Sequence, residues 1–150
     1  GALQCGTSFR GSSDTEVLLA AIDRWGVLET LRRLVGMFAI ALWDHADRKL
    51  TLIRDRLGKK PLYWGKVGTT LFFGSQLKSF FEHPNWRGII NTNSVSSFMQ
   101  YSFVPHPASI FHDIQQLSPG SCVILSSDGV LDEFRYWQLG TPARARRGAG

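Results

Sequence analysis

One short apolar segment, residues 37–43, constrains the fold more than any other part of the chain. Its sequence is MFAIALW, in which the large side chains of Phe38, Ile40 and Leu42 alternate with two alanines. The segment is far shorter than the ~20 residues that a membrane-spanning helix needs. It is also too uniformly apolar for a strand with one face in water. We therefore expect a strand that is covered on both faces and lies inside a folded core.

Polar turns and further apolar runs after this segment predict two hairpins. Residues 44–48 are polar and lead into a second strand at residues 49–54, which completes the first hairpin. Residues 61–66 and 70–74 form the second hairpin, joined across residues 67–69. Four successive strands of this kind predict an antiparallel meander.

Two amphipathic stretches precede the strands. Ser13 followed three residues later by Glu16 is a capping-box pattern, which marks the N-terminus of a helix. We expect Gly26 to end that helix. A second short helix over residues 28–35 is predicted to end at Gly36.

The rest of the chain carries shorter elements of mixed character. They are a helical turn at residues 76–81, a helix from Asn93 with Val95, Phe98 and Met99 on one side, and a last hairpin whose strands at residues 121–125 and from Val130 are joined by an Asp128-Gly129 turn. Helices followed by paired strands indicate a layered α+β domain. A chain of 150 residues has room for about one such domain.

The net charge of +5 invites a nucleic-acid-binding interpretation, but the distribution of the charge disfavours it. Arg144, Arg146 and Arg147 supply three of the positive charges from a tail rich in small residues. The other basic residues are scattered singly or in pairs, as on a solvated surface. We expect neither a nucleic-acid partner nor a membrane partner.

Cysteine and histidine usage argues against a metal site and against a secreted scaffold. Cys5 and Cys122 are the two cysteines, and they form no CxxC motif. The four histidines lie too far apart for a helical metal-ligand spacing; they are His45, His83, His106 and His112. The sequence predicts no metal ligands, and it favours a reducing, cytoplasmic location.

The densest motif, RDRLGKKPLY, occupies residues 54–63. A strand ends in Arg54 and Asp55, Gly58 permits a backbone turn that other residues resist, and Pro61 fixes the start of the next strand. From the residues alone, this pattern indicates a strand connection braced by a salt bridge.

Four motifs in one order give the chain a family resemblance. They are FRGSSDTEVLL at residues 9–19, GMFAIALWD at 36–44, RD followed by Gly58 and PLY at 54–63, and FGSQLK at 73–78. Together they resemble the glutaminase domain of glutamine-hydrolysing asparagine synthases. The resemblance runs from about Phe9 to about Leu139 and includes LSPG at residues 117–120. Residues 1–8 stay unmatched, and residues 140–150 form an Arg-rich linker or tail.

The resemblance implies a class II glutamine amidotransferase with part of the N-terminal-nucleophile hydrolase fold, a four-layer αββα sandwich. In that family an N-terminal cysteine attacks the amide of glutamine, its own α-amino group acts as the base, and a thioester is hydrolysed. The ammonia then reaches a ligase domain, C-terminal in the same chain, that uses ATP and Mg to convert aspartate to asparagine. No cofactor is implied for the glutaminase part itself, and self-association is compatible with the pattern.

No catalytic residue of the family falls within this chain. Cys5 followed by Gly6 is similar to the start of the nucleophile motif, but it lies too close before Asp14 for the intervening family segments to fit. Its amine is also held in a peptide bond to Gln4, so it cannot serve as the base. We expect Cys5 to be an inert thiol. A chain that starts with Gly1 is expected to be a fragment without its N-terminal nucleophile segment.

The resemblance assigns one substrate-binding residue, Asp14. It matches the Ser-Asp-x-Glu aspartate that holds the α-ammonium of glutamine, although an acid in a first helical turn is also favoured by the helix dipole. Glu16 is predicted to close the capping box. Arg54, Asp55 and Gly58 match the family and are interpreted as architectural.

Two alternatives stay open from the sequence. Related glutaminase domains serve other amidotransferases, and a chain without its nucleophile could be a degenerate interaction module. Gln76 also departs from the acidic residue that is common in the family's Gly-Ser-Glu-Leu-Lys form.

Overall fold

Two antiparallel sheets pack against each other in the computed structural model, which describes residues 13–126 and 131–139. The elements follow in the order α1 (Asp14–Arg33), β1 (Ala39–Asp44), β2 (Lys49–Arg54), β3 (Tyr63–Val67), β4 (Thr70–Gly74), a 3-10 turn (Leu77–Phe80), α2 (Thr92–Tyr101), β5 (Ile114–Gln116), β6 (Ser121–Leu125) and β7 (Leu131–Arg135). One sheet has the strand order β1-β2-β6-β7, and the other has the order β4-β3-β5. This arrangement confirms the predicted α+β class.

Helix α1 begins where the sequence predicts, and it breaks at Gly26, the residue predicted to end it. The Ser13 hydroxyl oxygen accepts a hydrogen bond from the Thr15 amide at 3.3 Å. Gly26 adopts φ 74° and ψ 168°, which breaks the helix into two segments that join directly at a kink. The second segment ends at Arg33, and Leu34 is the capping residue.

Both predicted hairpins are present, but the single meander is wrong because they lie in different sheets. Strand β2 pairs with β6, with Ile53 opposite Cys122. Strand β3 pairs with β5, with Tyr63 opposite Gln116. These partners are distant in sequence, and they separate the first hairpin from the second.

The doubly covered strand is β2, not β1 as the apolar pattern suggested. Leu52 packs between the two sheets, and its neighbour Ile53 packs against α1 on the opposite face; both are fully buried. Strand β1 lies at the end of the strand order of its sheet. It is covered only near its start, and both Ala41 and Trp43 are exposed to solvent.

Three groups of apolar side chains fill the layers. The group between the sheets is Leu52, Leu62, Trp64, Leu117 and Val123. The group between α1 and the four-stranded sheet is centred on Leu31, Ile53 and Cys122. The third covers the outer face of the three-stranded sheet and consists of Val67, Phe72, Phe80, Phe111 and Ile114. The layers are therefore helix, sheet, sheet and an outer layer of turns.

The remaining predicted elements agree with the structure where it describes them. Helix α2 begins one residue before the predicted Asn93, and the Asn91 side chain caps it by accepting hydrogen bonds from two backbone amides. The Asp128-Gly129 turn, the tail from residue 140 and Cys5 lie outside the described residues. Neither α1 nor α2 is both long and apolar enough to cross a lipid bilayer.

Candidate active site

A groove of about 630 Å³ lies between α1 and the start of β1. One wall is formed by α1 and the other by the segment that leads into β1. Most of the lining is apolar, and the principal side chains are Val17, Leu18, Trp25, Val35, Met37, Phe38 and Ile40. An apolar cleft with a few polar groups is the usual form of a small-molecule site.

Asp14 lines this groove at the N-terminus of α1. Its side chain is exposed, and its carboxylate forms no hydrogen bond or ion pair with another described residue. The N-terminal turn of a helix favours a negative charge. Asp14 therefore offers a carboxylate without a partner among the described residues to a cation that enters the groove.

The basic residue of the groove, Arg33, is already engaged. Its Nε donates to Glu29 Oε1 at 2.8 Å, and its guanidinium lies 4.5 Å from the centre of the Trp25 ring. A cation–π contact of this length is attractive, so the Trp25 ring stabilises part of the positive charge of Arg33. Of the two charged residues that line the groove, Arg33 has a partner, and Asp14 has none among residues 13–126 and 131–139.

The turn at residues 55–60, directly after β2, contacts both walls of the groove. The Asp55 amide donates to the Phe38 carbonyl oxygen at 3.0 Å, which fixes the segment leading into β1. Arg56 Nη2 donates to the Arg32 carbonyl oxygen at 2.7 Å, which fixes the C-terminal end of α1. Adjacent residues of one turn therefore set the positions of the strand and of the helix.

Asp55 organises this turn through the backbone. It is 1% exposed, and its carboxylate accepts hydrogen bonds from the amides of Leu57 (3.1 Å), Lys59 (3.0 Å) and Lys60 (2.9 Å). Burial raises the pKa of Asp55. The backbone hydrogen bonds, chiefly those from Lys60 and Lys59, lower it by more, so that the pKa lies below its ordinary value.

Arg54 also bonds to the backbone rather than to Asp55. Its guanidinium donates to the carbonyl oxygens of Lys60 (2.9 Å), Leu117 (2.6 Å) and Gly58 (2.7 Å). Burial lowers the pKa of Arg54, and the Asp55 charge opposes that change. The predicted salt bridge is wrong, since no ion pair joins Arg54 and Asp55 in the part of the chain described. The architectural interpretation of both residues agrees with these contacts.

Gly58 is required at this turn for two reasons. Its φ of 64° lies in the left-handed region, which side chains rarely adopt. A Cβ at this position would lie 2.8 Å from Pro119 Cγ and 3.0 Å from Arg54 Cζ. The turn can close around the Arg54 guanidinium only because residue 58 has no side chain.

The comparisons with known proteins identify this arrangement. The family model for the glutamine amidotransferase domain matches residues 2–137, which include Asp14, the groove and the turn at residues 55–60. The chain belongs to this family. The match to the amidotransferase domain also includes residues 2–8, which the motifs had left unassigned.

Curated relatives narrow the resemblance to asparagine synthetases. Asparagine synthetase (glutamine-hydrolyzing) 3 of Bacillus subtilis is 34% identical over 135 residues, which cover 89% of this chain and 22% of that protein. Asparagine synthetase (glutamine-hydrolyzing) 1 of the same organism is 34% identical over 133 residues, which cover 89% of this chain and 21% of that protein. The chain therefore spans about a fifth of the length of these relatives, and the resemblance seen in the motifs is confirmed.

A solved structure shows the same fold. Glutamine phosphoribosylpyrophosphate (PRPP) amidotransferase from Bacillus subtilis superposes with a TM-score of 0.59 at 20% identity, covering 89% of this chain and 25% of that one. At this identity the likeness concerns the fold alone. It confirms the predicted N-terminal-nucleophile type of layered α+β fold for the amidotransferase domain.

The other candidate residues have structural roles or none that the contacts reveal. Burial raises the pKa of the Cys122 thiol to about 12, so this thiol stays protonated near neutral pH and is unreactive. The exposed Gln76 caps the 3-10 turn through its carbonyl oxygen, which accepts hydrogen bonds from the Ser79 amide and hydroxyl. Within residues 13–126 and 131–139, no three His, Cys, Asp or Glu side chains converge as a metal site requires.

Sequence reasoning missed the contribution of Arg56. Its contact with the Arg32 carbonyl spans 24 residues and joins two elements that no local pattern relates. The available signal was its position directly after Arg54 and Asp55 in the densest motif. Phe38 belongs to the predicted apolar strand, but the pattern did not show that it lines a groove together with Trp25 of α1.

Proposed function

We propose that this chain is part of the glutamine-hydrolysing domain of an asparagine-synthase-type enzyme. In this reaction glutamine and water give glutamate and ammonia, and the ammonia is used for the ATP-dependent conversion of aspartate to asparagine. The family match and the two Bacillus subtilis relatives support this assignment. The observation that carries it for this chain is the position of Asp14 in the groove, where its carboxylate is exposed and bonds to no described residue.

Asp14 is proposed to bind the α-ammonium group of glutamine. A carboxylate and an ammonium in contact form a charge-assisted hydrogen bond, which is about twice as strong as a neutral one. The apolar side chains that line the groove would pack against the methylene groups of the substrate. Glutamine would thus be held by one charge and by shape.

The described residues supply binding and orientation rather than bond breaking. The nucleophile of this reaction is the thiol of an N-terminal cysteine, and Cys5 does not qualify because Gln4 precedes it. ATP and Mg are proposed to act in a synthetase domain C-terminal to this one, as the resemblance to asparagine synthases implies. We propose a cytoplasmic location, because the cysteine usage of the sequence favours a reducing compartment.

The binding proposal is tested by titrating the chain with L-glutamine in isothermal calorimetry. Asp14→Asn should weaken binding at least about tenfold, which corresponds to a loss of about 1.4 kcal/mol. Asp23→Asn is the matched control, because Asp23 is an exposed acid on the same helix and does not line the groove.

A second ligand separates a charge effect from a folding effect. Nα-acetyl-L-glutamine has no α-ammonium, so the unaltered chain should bind it as weakly as Asp14→Asn binds glutamine. Equal affinity for the acetylated and free amino acids would contradict the role of Asp14. Failure of the unaltered chain to bind glutamine would overturn the proposed function of the groove.

A further inference from the structure

A second cavity, of about 510 Å³, lies at one end of the three-stranded sheet, where β3 ends and β5 begins. Its lining comes from the turn between β3 and β4 at residues 67–69, from the loop at residues 84–89 and from Asp113, directly before β5. No described residue lines both this cavity and the groove beside α1. The two sites are therefore separate in the fold, and we call this one the sheet-end cavity.

Two residues of opposite charge, Arg87 and Asp113, line the sheet-end cavity. They flank an uncharged part of the sequence, since none of residues 88–112 is Asp, Glu, Lys or Arg. An antiparallel bridge between Ile90 and Phe111 folds this part of the chain back on itself, and backbone hydrogen bonds of 2.9 and 3.0 Å lie on either side of the bridge. The bridge thereby brings together two charges that are far apart in sequence.

The walls of the sheet-end cavity are held by contacts outside it. A Cβ on Gly65 would collide with the Asp113 carbonyl oxygen, so the backbone of β3 and that of Asp113 are in direct contact. On the opposite wall, Asn85 Nδ2 donates to Thr70 Oγ1 at 2.8 Å. The Trp86 ring packs among the aromatic side chains that cover the outer face of the sheet. The cavity is thus formed before any ligand enters, as in most small-molecule sites.

Neither charge of the sheet-end cavity has a partner among residues 13–126 and 131–139. The side chains of Arg87 and Asp113 are exposed, and neither forms a hydrogen bond or an ion pair with a described residue. They do not pair with each other, although a spherical cavity of this volume is only about 10 Å across. A small ligand that carries both charges can therefore contact the two side chains at once.

The opposite signs restrict the chemistry of the ligand. Asp113 would repel a phosphate or another dianion, and Arg87 would repel a metal ion or a polyamine. A zwitterion avoids both conflicts. Its carboxylate can accept two parallel hydrogen bonds from the Arg87 guanidinium, and its ammonium can donate to the Asp113 carboxylate.

We propose that the sheet-end cavity binds a free α-amino acid with a short aliphatic side chain. Arg87 holds the α-carboxylate and Asp113 holds the α-ammonium. The apolar lining of the cavity, from Val67, Pro84 and Ile89, packs against the side chain of the ligand. The proposal does not depend on glutamine binding in the groove beside α1.

Titration of the 150-residue chain with L-valine, followed in two-dimensional amide NMR spectra, tests the proposal. We expect a dissociation constant of about 1–10 mM, because the charges of this open site are partly hydrated. The amide signals that shift should be those of the cavity, such as Gly68 and Ile89, and not those of α1. Absence of any shift at about 50 mM L-valine would overturn the proposal.

Arg87→Gln and Asp113→Asn should each weaken L-valine binding at least about tenfold. Lys66→Gln and Glu82→Gln are the matched controls, because both residues are exposed, charged and outside the lining of the cavity. They should leave the dissociation constant unchanged. The NMR spectrum of each variant also shows whether the fold is retained. Binding that survives Arg87→Gln and Asp113→Asn, or that the controls weaken equally, would contradict the proposed contacts.

Two analogues test the charges of the ligand separately. L-Valinamide lacks the carboxylate and N-acetyl-L-valine lacks the ammonium, so each should bind at least about tenfold more weakly than L-valine. Equal binding of all three compounds would overturn the zwitterion assignment. Asp14→Asn should leave L-valine binding unchanged. Shifts that map to α1 and disappear in Asp14→Asn would place L-valine in the other groove and would overturn the proposal, whereas failure to bind glutamine would bear only on that groove.

Discussion

Arg56 donates a hydrogen bond to the carbonyl oxygen of Arg32, so two cationic residues are joined through the backbone at the C-terminal end of α1. The guanidinium lies where the helix dipole favours a positive charge. We expect Arg56→Ala to lower the free energy of unfolding by about 1–2 kcal/mol. Arg32→Ala retains the carbonyl acceptor and should cost about 0.5 kcal/mol or less. Urea denaturation monitored by tryptophan fluorescence compares the two variants, and equal losses would contradict the assigned bond.

Asp55→Asn should be among the most destabilising single polar substitutions in the turn at residues 55–60. The variant weakens three amide hydrogen bonds to a buried carboxylate, and we expect a loss of at least about 2 kcal/mol at pH 7. Because the folded-state pKa of Asp55 lies below its ordinary value of 3.8, its contribution is complete above about pH 4 and is lost as the pH falls through the folded-state pKa. The difference in the free energy of unfolding between the two proteins should therefore stay constant from pH 7 to about pH 4 and decrease between about pH 4 and pH 3. A difference that stays constant down to about pH 3 would show that ionisation of Asp55 is not the source of the stabilisation.

Gly58→Ala should destabilise the protein more than Gly68→Ala. Both glycines have φ near +60°, but a Cβ at Gly68 meets nothing within 4 Å, whereas one at Gly58 would press on Pro119 and Arg54. The left-handed conformation alone costs about 1–2 kcal/mol for an alanine. Crowding at Gly58 should add about 1–3 kcal/mol. Thermal unfolding of both variants measures the difference, and similar melting temperatures would contradict the packing around the turn.

The Cys122 thiol should resist alkylation in the folded protein. Burial raises its pKa to about 12, so almost no thiolate is present at pH 8. We expect iodoacetamide to modify Cys122 only after denaturant has unfolded the chain, as measured by mass spectrometry of the peptide that contains it. Rapid modification under native conditions would show that β6 opens locally.

The 150-residue chain should release no glutamate from glutamine, because the amine of Cys5 is held in a peptide bond to Gln4 and cannot act as the base. A coupled glutamate dehydrogenase assay measures the product. Activity that disappears on Cys5→Ser would contradict the interpretation of Cys5 as an inert thiol.

Local patterns predicted what depends on neighbours in sequence, and they failed where distant segments meet. The Ser13 cap, the break at Gly26 and the bounds of β2 and β4 all follow from a few adjacent residues. The pairing of Ile53 with Cys122 does not, because each strand is apolar enough to lie in several positions of a sheet. For the same reason the apolar run at residues 37–43 could be recognised as a strand but not as one with exposed residues.

The candidate site shows the same division. Asp14 could be singled out because it belongs to a motif next to a helix start. Its position in an apolar groove depends on where Phe38 lies. The Asp55 amide, directly after the end of β2, holds Phe38 through a hydrogen bond to its carbonyl oxygen. The hydrogen-bonding of Arg54 to Leu117 likewise joins residues that share no local pattern.

The burial of Leu52 and Ile53 on opposite faces of one strand links the two halves of the molecule mechanically. The backbone between them is the common wall of the core under α1 and of the core between the sheets. Neither core can open without exposing a face of β2, so the amides of this strand should exchange with solvent only when the whole domain unfolds. The groove beside α1 should therefore be lost only when the three-stranded sheet on the other side of β2 unfolds as well.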